Sequence, residues 1–342
     1  MISDQDLHRF VEKFKVPEEA LTYLDRMVNP IETRLVLSAG ETPLTVEGVQ
    51  HDLDLTAEEA AKALEQAFQR GVLTREGEDE PYSYTPADFY TRMDYMATYE
   101  EGWDELPVEY RKALDEWMMG EYISRVRPNV DLLMAGRPAQ GSPGNDSVVL
   151  LEETYSIIDS AKTIIVVPCN CRRIAQNCSR PVETCIQFDS VAEKKLARGH
   201  GRRLTAKEAK DLVRMADRKG LMHTTDLQKR DGGPAPICNC CADDCYPFRA
   251  AERLGSKGAW PRGRYVATFD HDKCQMCGAC TKRCHFGAFY HDGTMVEIAG
   301  LQVRNVAFDA DKCWGCGLCT AVCFPEAIKL VPLPAGIAAA ES

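Results

Sequence analysis

Apolar residues recur at helical spacing through residues 31–72. ETRLVLSAG and TVEGVQHDLDL each have this spacing, and TAEEAAKALEQAFQRGVL begins at Thr56, a predicted N-cap with Glu59 in the capping-box position, and stops at Gly71. The next stretch, LTREGEDEPYSYTP, predicts two short extended runs around an acidic turn. The pattern therefore predicts three helices followed by a β-hairpin.

Three helices and a hairpin are the element order of winged-helix domains, and residues 31–100 resemble that architecture. The third predicted helix, which would enter a DNA groove, is acidic on balance, and the hairpin turn carries Glu76, Glu78, Asp79 and Glu80. Such a surface repels phosphates. We expect no nucleic-acid binding here and favour a scaffold or partner-docking role.

Residues 100–140 predict a helical run rich in aromatic residues and methionine. Its large apolar side chains, which we expect in the core without a cofactor role, are Trp103, Tyr110, Trp117, Met118 and Met119. GRPAQGSPGNDS, residues 136–147, has the composition of a linker. It marks the first predicted domain boundary.

A cysteine-rich region follows the linker. TIIVVP, a β-branched run of strand length, leads directly into Cys169, and a helix is predicted from Thr205 to Lys219. Two groups of cysteines flank that helix: Cys169, Cys171, Cys178 and Cys185 before it, and Cys238, Cys240, Cys241 and Cys245 after it. Buried thiols can act as small hydrophobes, but this density in polar sequence favours metal binding.

Two further groups of four cysteines, CQMCGACTKRC and CWGCGLCTAVC, share the spacing C-x₂-C-x₂-C-x₃-C. The repeats resemble the bacterial dicluster ferredoxin over about residues 264–332. The resemblance implies two [4Fe–4S] clusters, one held by Cys274, Cys277, Cys280 and Cys323 and the other by Cys313, Cys316, Cys319 and Cys284. His285 and Phe324 replace the proline that usually follows the fourth cysteine, and His285 is a candidate for tuning a potential. Zinc is the alternative metal, but intact repeats favour iron–sulfur.

The pattern PCNCR…ICNCC followed by two ferredoxin motifs looks like a family of multi-cluster iron–sulfur proteins of anaerobic bacteria and archaea, read as electron carriers. The resemblance implies one or two additional clusters in the middle region, with zinc possible at one site. Asp243 and Asp244 stand where that family has cysteines, either as ligands or, as we favour, as caps for the next helix. Arg172 and Arg173 are candidates for hydrogen bonds to cluster sulfurs.

Composition narrows the class of protein. The chain has 342 residues, of which residues 1–160 carry 33 acidic and 14 basic side chains, whereas all sixteen cysteines lie in the basic remainder. Cluster thiolates are negative, so nearby Lys and Arg offset them; residues 192–230, rich in basic side chains, predict a solvated face. With no secretory signal and no long apolar run, we expect a cytoplasmic protein without a transmembrane segment.

These features predict an α+β fold with three domains: a helical, winged-helix-like acidic domain (1–140), a cysteine-rich domain (148–262) and a dicluster ferredoxin domain (263–334). No dinucleotide, phosphate-loop or nucleophile motif is evident, and His223 is the only acid/base candidate. The leading hypothesis is an electron-transfer protein of anaerobic metabolism that serves a partner oxidoreductase or complex. The alternatives are an iron–sulfur reductase whose middle cluster binds substrate and a redox-sensing winged-helix regulator.

Overall fold

Helices and small antiparallel sheets alternate along the chain in the computed structural model, which describes residues 3–77, 80–227 and 233–333. The chain is a mixed α+β protein. Glu78 and Asp79 of the predicted wing, residues 228–230 of the basic stretch and position 334 of the predicted ferredoxin domain lie outside the described residues. In the part of the chain that is described, no helix combines the length and apolar content needed to cross a membrane.

The chain divides into two compact units. One contains the residues up to Glu121 together with Arg173–Ala175 and Leu196–His200, and the other contains Tyr122–Arg172, Gln176–Lys195 and the residues from Gly201 onward. All sixteen cysteines belong to the second unit. The three domain limits stay predictions.

The first unit is mainly helical. It contains α1 (Asp4–Phe14), a 3₁₀ helix (Glu18–Tyr23), α2 (Leu24–Met27), α3 (Pro30–Ser38), α4 (Val46–Leu53), α5 (Ala57–Gln69), β1 (Leu73–Glu76), β2 (Ser83–Pro86), α6 (Phe89–Tyr99), a second 3₁₀ helix (Glu101–Trp103) and the start of α7 (Val108–Met134). Thr56 caps α5 and forms a capping box with Glu59, as the sequence predicts. Strands β1 and β2 pair as an antiparallel hairpin.

Three of the five aromatic and methionine residues predicted for the core of this unit are buried, and Tyr110 and Trp117 are half-buried. Trp103, Met118 and Met119 are fully buried. Tyr110 donates a hydrogen bond from its hydroxyl to the Ala20 carbonyl over 2.8 Å. These side chains stabilise the unit by burial of apolar surface.

The second unit begins with strands and helices that carry the middle cysteines. It contains β3 (Ser147–Val149), α8 (Leu151–Ser160), β4 (Ile164–Pro168), α9 (Asn170–Ala175), β5 (Glu183–Phe188), α10 (Asp189–Ala197), β6 (Arg202–Arg203), α11 (Ala206–Arg218), β7 (Met222–Thr225), β8 (Cys238–Cys240) and α12 (Tyr246–Leu254). Helix α11 matches its predicted span, with Thr205 and Glu208 forming its capping box. Strand β4 matches the predicted apolar run.

Two three-stranded sheets position these elements. One has the order β5-β4-β6 and the other β3-β7-β8, with antiparallel pairing throughout. An isolated antiparallel bridge between Ile186 and Ile237 joins β5 to the residue before β8. The bridge brings together two cysteine-bearing strands that are 50 residues apart in sequence.

The C-terminal part of the second unit is built from short strands and tight turns. It contains β9 (Tyr265–Phe269), α13 (Ala279–Arg283), β10 (Phe289–Tyr290), β11 (Met295–Ile298), β12 (Leu301–Arg304), β13 (Ala307–Phe308), two 3₁₀ helices (Ala310–Lys312 and Thr320–Val322) and β14 (Ile328–Pro332). Its first and last strands pair, with Ile328 opposite Phe269 and Pro332 opposite Tyr265. This pairing places the two cysteine repeats side by side.

Candidate metal centre

The eight C-terminal thiols gather into two sets, and each set takes one cysteine from the other repeat. The Cys280 thiol lies within electrostatic range of the thiols of Cys274, Cys277 and Cys323. The Cys319 thiol lies within the same range of Cys316, Cys313 and Cys284. We call these groups set 1 (Cys274, Cys277, Cys280 and Cys323) and set 2 (Cys313, Cys316, Cys319 and Cys284).

Backbone N–H groups point at several of these sulfurs. Gly315 N and Ala267 N each lie 3.4 Å from Cys313 Sγ, Met276 N lies 3.3 Å from Cys274 Sγ, and Ala288 N lies 3.3 Å from Cys284 Sγ. Hydrogen bonds of this kind stabilise a negative sulfur ligand and tune the potential of a cluster. The loops are therefore arranged for thiolates.

When no metal is bound, burial opposes ionisation of the same thiols. It raises the pKa of Cys280 to about 11 and that of Cys316 to about 12, and neighbouring thiols add to the effect in both cases. A cation that binds such thiols must displace their protons. The donor sets thus fit a positively charged iron core with four thiolate ligands.

Residues 306–329 match the model of the 4Fe-4S binding domain family. The chain therefore carries a 4Fe–4S binding domain near its C-terminal end, and this supports at least one [4Fe–4S] cluster and an iron–sulfur, ferredoxin-type role in electron transfer. The matched segment contains the second cysteine repeat, from Cys313 to Cys323. No curated protein and no solved structure matches the chain.

Six of the eight middle cysteines form one ring of neighbouring thiols. Hydrogen-bonding contacts link Cys169 to Cys171, Cys171 to Cys245, Cys245 to Cys240, Cys240 to Cys238 and Cys238 to Cys185. Cys185 is also close enough to Cys169 for their charges to interact. We call this group the six-thiol ring (Cys169, Cys171, Cys185, Cys238, Cys240 and Cys245).

The secondary structure explains how the ring closes. Cys169 and Cys245 are the N-cap residues of α9 and α12. Cys238 and Cys240 are two residues apart in β8, so their side chains point to the same face of the strand. Because Ile186 is bridged to Ile237, the adjacent residues Cys185 and Cys238 meet. Six thiolates in one place exceed the four that one cubane requires.

Arg172 is a buried cation beside the ring, with a side chain that is 2% exposed. Its guanidinium donates to the carbonyls of Pro181 (2.7 Å) and Asn239 (3.0 Å), and lies 3.7 Å from Cys241 Sγ. Burial lowers its pKa, but the nearby thiolates of Cys169, Cys241 and Cys240 raise the pKa overall. Arg172 therefore holds its charge at the centre of the middle region.

Arg173, the second predicted sulfur donor, is directed elsewhere. It donates to the Ala97 carbonyl and pairs with Asp104 at 2.9 Å, and both partners belong to the first unit, as Arg173 does. Neighbouring residues on a helix point about 100° apart, so only one of the two arginines can face the thiols.

The remaining two middle cysteines form a separate group with an aspartate. Cys178 Sγ lies 3.8 Å from Cys241 Sγ, Cys241 Sγ lies 3.5 Å from Asp244 Oδ2, and all three ligand atoms lie within 4.8 Å of one another. Asp244 is 1% exposed, and its other oxygen accepts from Asn177 N at 2.7 Å. We call this group the Cys178–Cys241–Asp244 site.

The expectation that Asp243 and Asp244 cap the next helix is wrong. The N-cap residue of α12 is Cys245, and its side chain makes no capping hydrogen bond. Asp243 instead pairs with Arg180 at 2.6 Å. The two adjacent carboxylates thus have different surroundings: that of Asp244 is buried against thiols, and that of Asp243 is 44% exposed.

The two histidines singled out from the sequence are both held by polar partners. His223 is 1% exposed and its Nδ1 lies 2.7 Å from Asn239 Oδ1. Since Asn239 donates its amide to the Thr184 carbonyl, its oxygen is an acceptor and Nδ1 of His223 is the donor. His285 Nε2 lies 2.5 Å from the Gly220 carbonyl. The Nε2 atom of His223 is buried and has no hydrogen-bond partner among the described residues.

Aromatic side chains pack between the six-thiol ring and set 2. Phe248 and Trp314 share one buried cluster with Cys240 and Cys245, and Phe286 and Cys316 pack against the same cluster. The ring centroids of Phe248 and Trp314 are 5.0 Å apart, and those of Phe286 and Trp314 are 5.1 Å apart. One apolar layer therefore contacts thiols of both groups.

Proposed function

We propose that this protein carries single electrons through two ferredoxin-type [4Fe–4S] clusters and one further cluster in the middle region. Set 1 and set 2 would hold the first two clusters, and four thiols of the six-thiol ring would hold the third. The observation that carries the proposal is the exchange of cysteines between the two repeats. Such crossed sets are typical of two-cluster ferredoxins.

The side chains and backbone of the protein would bind the clusters, shield them from solvent and tune their potentials. Clusters bound at these thiols would supply one-electron redox chemistry. The N–H groups of Gly315 and Ala267 orient toward Cys313 Sγ, and the buried side chains of Trp314 and Leu318 line the same cavity as the set 2 thiols. Phe248, Phe286 and Trp314 fill the layer between set 2 and the six-thiol ring, which supports an internal route for electrons.

The solvent-facing end of this route would be set 1. Cys277 is exposed, and Phe324, directly after Cys323, is 97% exposed. An exposed aromatic side chain beside a ligand is suited to contact with a redox partner. We therefore place exchange with a partner oxidoreductase at set 1, and we retain the acidic first unit as a candidate docking surface for the same partner.

The other two functions have less support. The first turn of α5, which a winged-helix regulator would present to DNA, exposes Glu58 and Glu59, and phosphates would be repelled there. A reductase needs a place for substrate, and two thiols of the six-thiol ring, those of Cys240 and Cys245, are buried, while the other four are partly exposed. The cytoplasmic location and the anaerobic setting stay predictions.

The test begins with iron and acid-labile sulfide on anaerobically purified full-length protein. We expect about twelve sulfides per chain, because each of three cubanes contributes about four. About eight would remove the third cluster from the proposal. Low-temperature EPR of the reduced protein then counts the paramagnetic clusters.

Serine variants test the crossed sets. Cys280→Ser and Cys323→Ser should perturb the same EPR signal although the two residues belong to different repeats, and Cys319→Ser and Cys284→Ser should together perturb the other. If the signals instead group by repeat, the crossed assignment fails. Cys240→Ser is the matched variant for the six-thiol ring, and it should lower sulfide by about four while leaving both ferredoxin signals in place.

A further inference from the structure

The Cys178–Cys241–Asp244 site lies next to the six-thiol ring but differs from it in ligand chemistry. Two sulfurs and one carboxylate oxygen converge, and the carboxylate and one thiol are fully buried. Buried carboxylates are rare unless they are paired or bind a metal. Asp244 has one oxygen on a backbone N–H and the other directed at Cys241 Sγ.

The spacing of these atoms matches ligands of a single ion. A tetrahedral zinc with Zn–S bonds of about 2.3 Å places two sulfur ligands about 3.8 Å apart, and a sulfur and a carboxylate oxygen about 3.6 Å apart. The observed separations are 3.8 Å between Cys178 Sγ and Cys241 Sγ and 3.5 Å between Cys241 Sγ and Asp244 Oδ2. In a cubane each thiolate binds a different iron, so its ligand sulfurs lie farther apart.

The charges of the ligands and their neighbours also favour a divalent ion. Two thiolates and one carboxylate give −3, which a divalent cation reduces to −1. Arg172 lies 3.7 Å from Cys241 Sγ and 4.0 Å from Asp244, and Arg180 hydrogen-bonds to Cys178. The two guanidiniums more than offset the remaining −1, and without the ion the thiols would hold protons instead.

We propose that Cys178, Cys241 and Asp244 bind one divalent metal ion, zinc by the chemistry of the ligands, separate from the iron–sulfur clusters. Among the described residues, no fourth His, Cys, Asp or Glu joins the group. The fourth position is therefore open to water or an exogenous ligand, as in zinc sites that act as Lewis acids. This site goes beyond the proposed electron-transfer function and does not depend on it.

The test is a joint measurement of zinc, iron and acid-labile sulfide on the anaerobically purified full-length protein. We expect about one zinc per chain, and zinc absorption fine structure with two sulfurs at about 2.3 Å and oxygen ligands at about 2.0–2.2 Å. Cys241→Ser should lose the zinc and keep the sulfide content of the wild type. If the wild type instead holds one iron more than sulfide, and Cys241→Ser loses that iron alone, the site binds a single ion and the ion is iron.

Adjacent aspartates provide the matched variants. Asp244→Asn should weaken metal binding, whereas Asp243→Asn, which changes the exposed partner of Arg180, should leave it unchanged. Asp244→Cys should retain the zinc and change its sulfur count from two to three, which a merely structural role of Asp244 would not do. The proposal is overturned if Cys178→Ser or Cys241→Ser removes about four irons with about four sulfides, since both would then be cubane ligands, or if neither changes the metal content. If the third cluster is absent, the sulfide content falls while the zinc content does not change.

Discussion

Gly315 is the residue whose replacement should most directly damage set 2. It lies between Cys313 and Cys316 at φ +65°, and a Cβ there would lie 2.6 Å from the carbonyl carbon of Tyr265 and closer still to its oxygen. Tyr265 is fixed by pairing with Pro332. The Gly315→Ala change must therefore move the thiol loop, because the neighbouring strand cannot yield easily.

The expected cost has two parts. A left-handed backbone conformation costs a non-glycine residue about 1–2 kcal/mol. Overpacking against fixed neighbours adds about 1–3 kcal/mol, so the total is about 2–5 kcal/mol. Gly300 provides the matched control, since it has φ +80° but open space around its Cβ position. Gly300→Ala should cost only the first part, about 1–2 kcal/mol.

The assay is thermal unfolding of the anaerobic, iron-loaded protein at one scan rate, combined with EPR of the reduced protein. For a unit of this size, 1 kcal/mol corresponds to about 2–4 °C in Tm. We expect Gly315→Ala to lower Tm by about 4–20 °C and to weaken the set 2 signal, and Gly300→Ala to lower Tm by about 2–8 °C with both signals intact. Equal losses in the two variants would refute the contact with Tyr265 as the cause.

Three further changes test other parts of the chain. Burial raises the pKa of Tyr110 to about 12, so the stabilising contribution of its hydroxyl is complete below about pH 10 and is lost as the pH rises toward 12. Tyr110→Phe should abolish that part of the pH dependence of the unfolding free energy, measured by chemical denaturation, and should cost about 1 kcal/mol at neutral pH. Thr205→Ala removes the α11 cap and should cost about 1 kcal/mol in the same assay, whereas Thr205→Asn should cost much less. Arg172→Lys keeps the charge but cannot reach every acceptor, and a loss of about 1–3 kcal/mol in thermal unfolding is expected; an unchanged Tm would contradict its role as a multiple donor.

Local signals in the sequence predicted several elements well. Helices α5 and α11 carry both an apolar periodicity and a capping box; α5 begins directly after its predicted N-cap, Thr56, and α11 begins one residue after the predicted start at Thr205. Strand β4 was predicted from an uninterrupted β-branched run. These signals are contained within about 15 residues, so no knowledge of distant contacts is needed to read them.

The arrangement of the middle cysteines depends on contacts that local patterns do not contain. The six-thiol ring forms because Ile186 and Ile237 bridge two strands across α11, and nothing in the spacing of either cysteine group specifies that pairing. The direction of Arg173 and the burial of Asp244 have the same origin, since both depend on residues far away in the sequence.

The basic residues of the cysteine-bearing half do more than offset its total charge, since individual arginines contact the thiols and the backbone beside them. Arg172 is buried among thiols and holds the carbonyls of Pro181 and Asn239, so it orders the backbone that carries the ligands. With protonated thiols, Asp244 at 4.0 Å is the one carboxylate within ion-pair distance of Arg172 among the described residues, and a buried cation with so little compensation is costly. Metal loading deprotonates the thiols and supplies further anions. We therefore expect folding of the middle region and binding of its metals to be one coupled equilibrium.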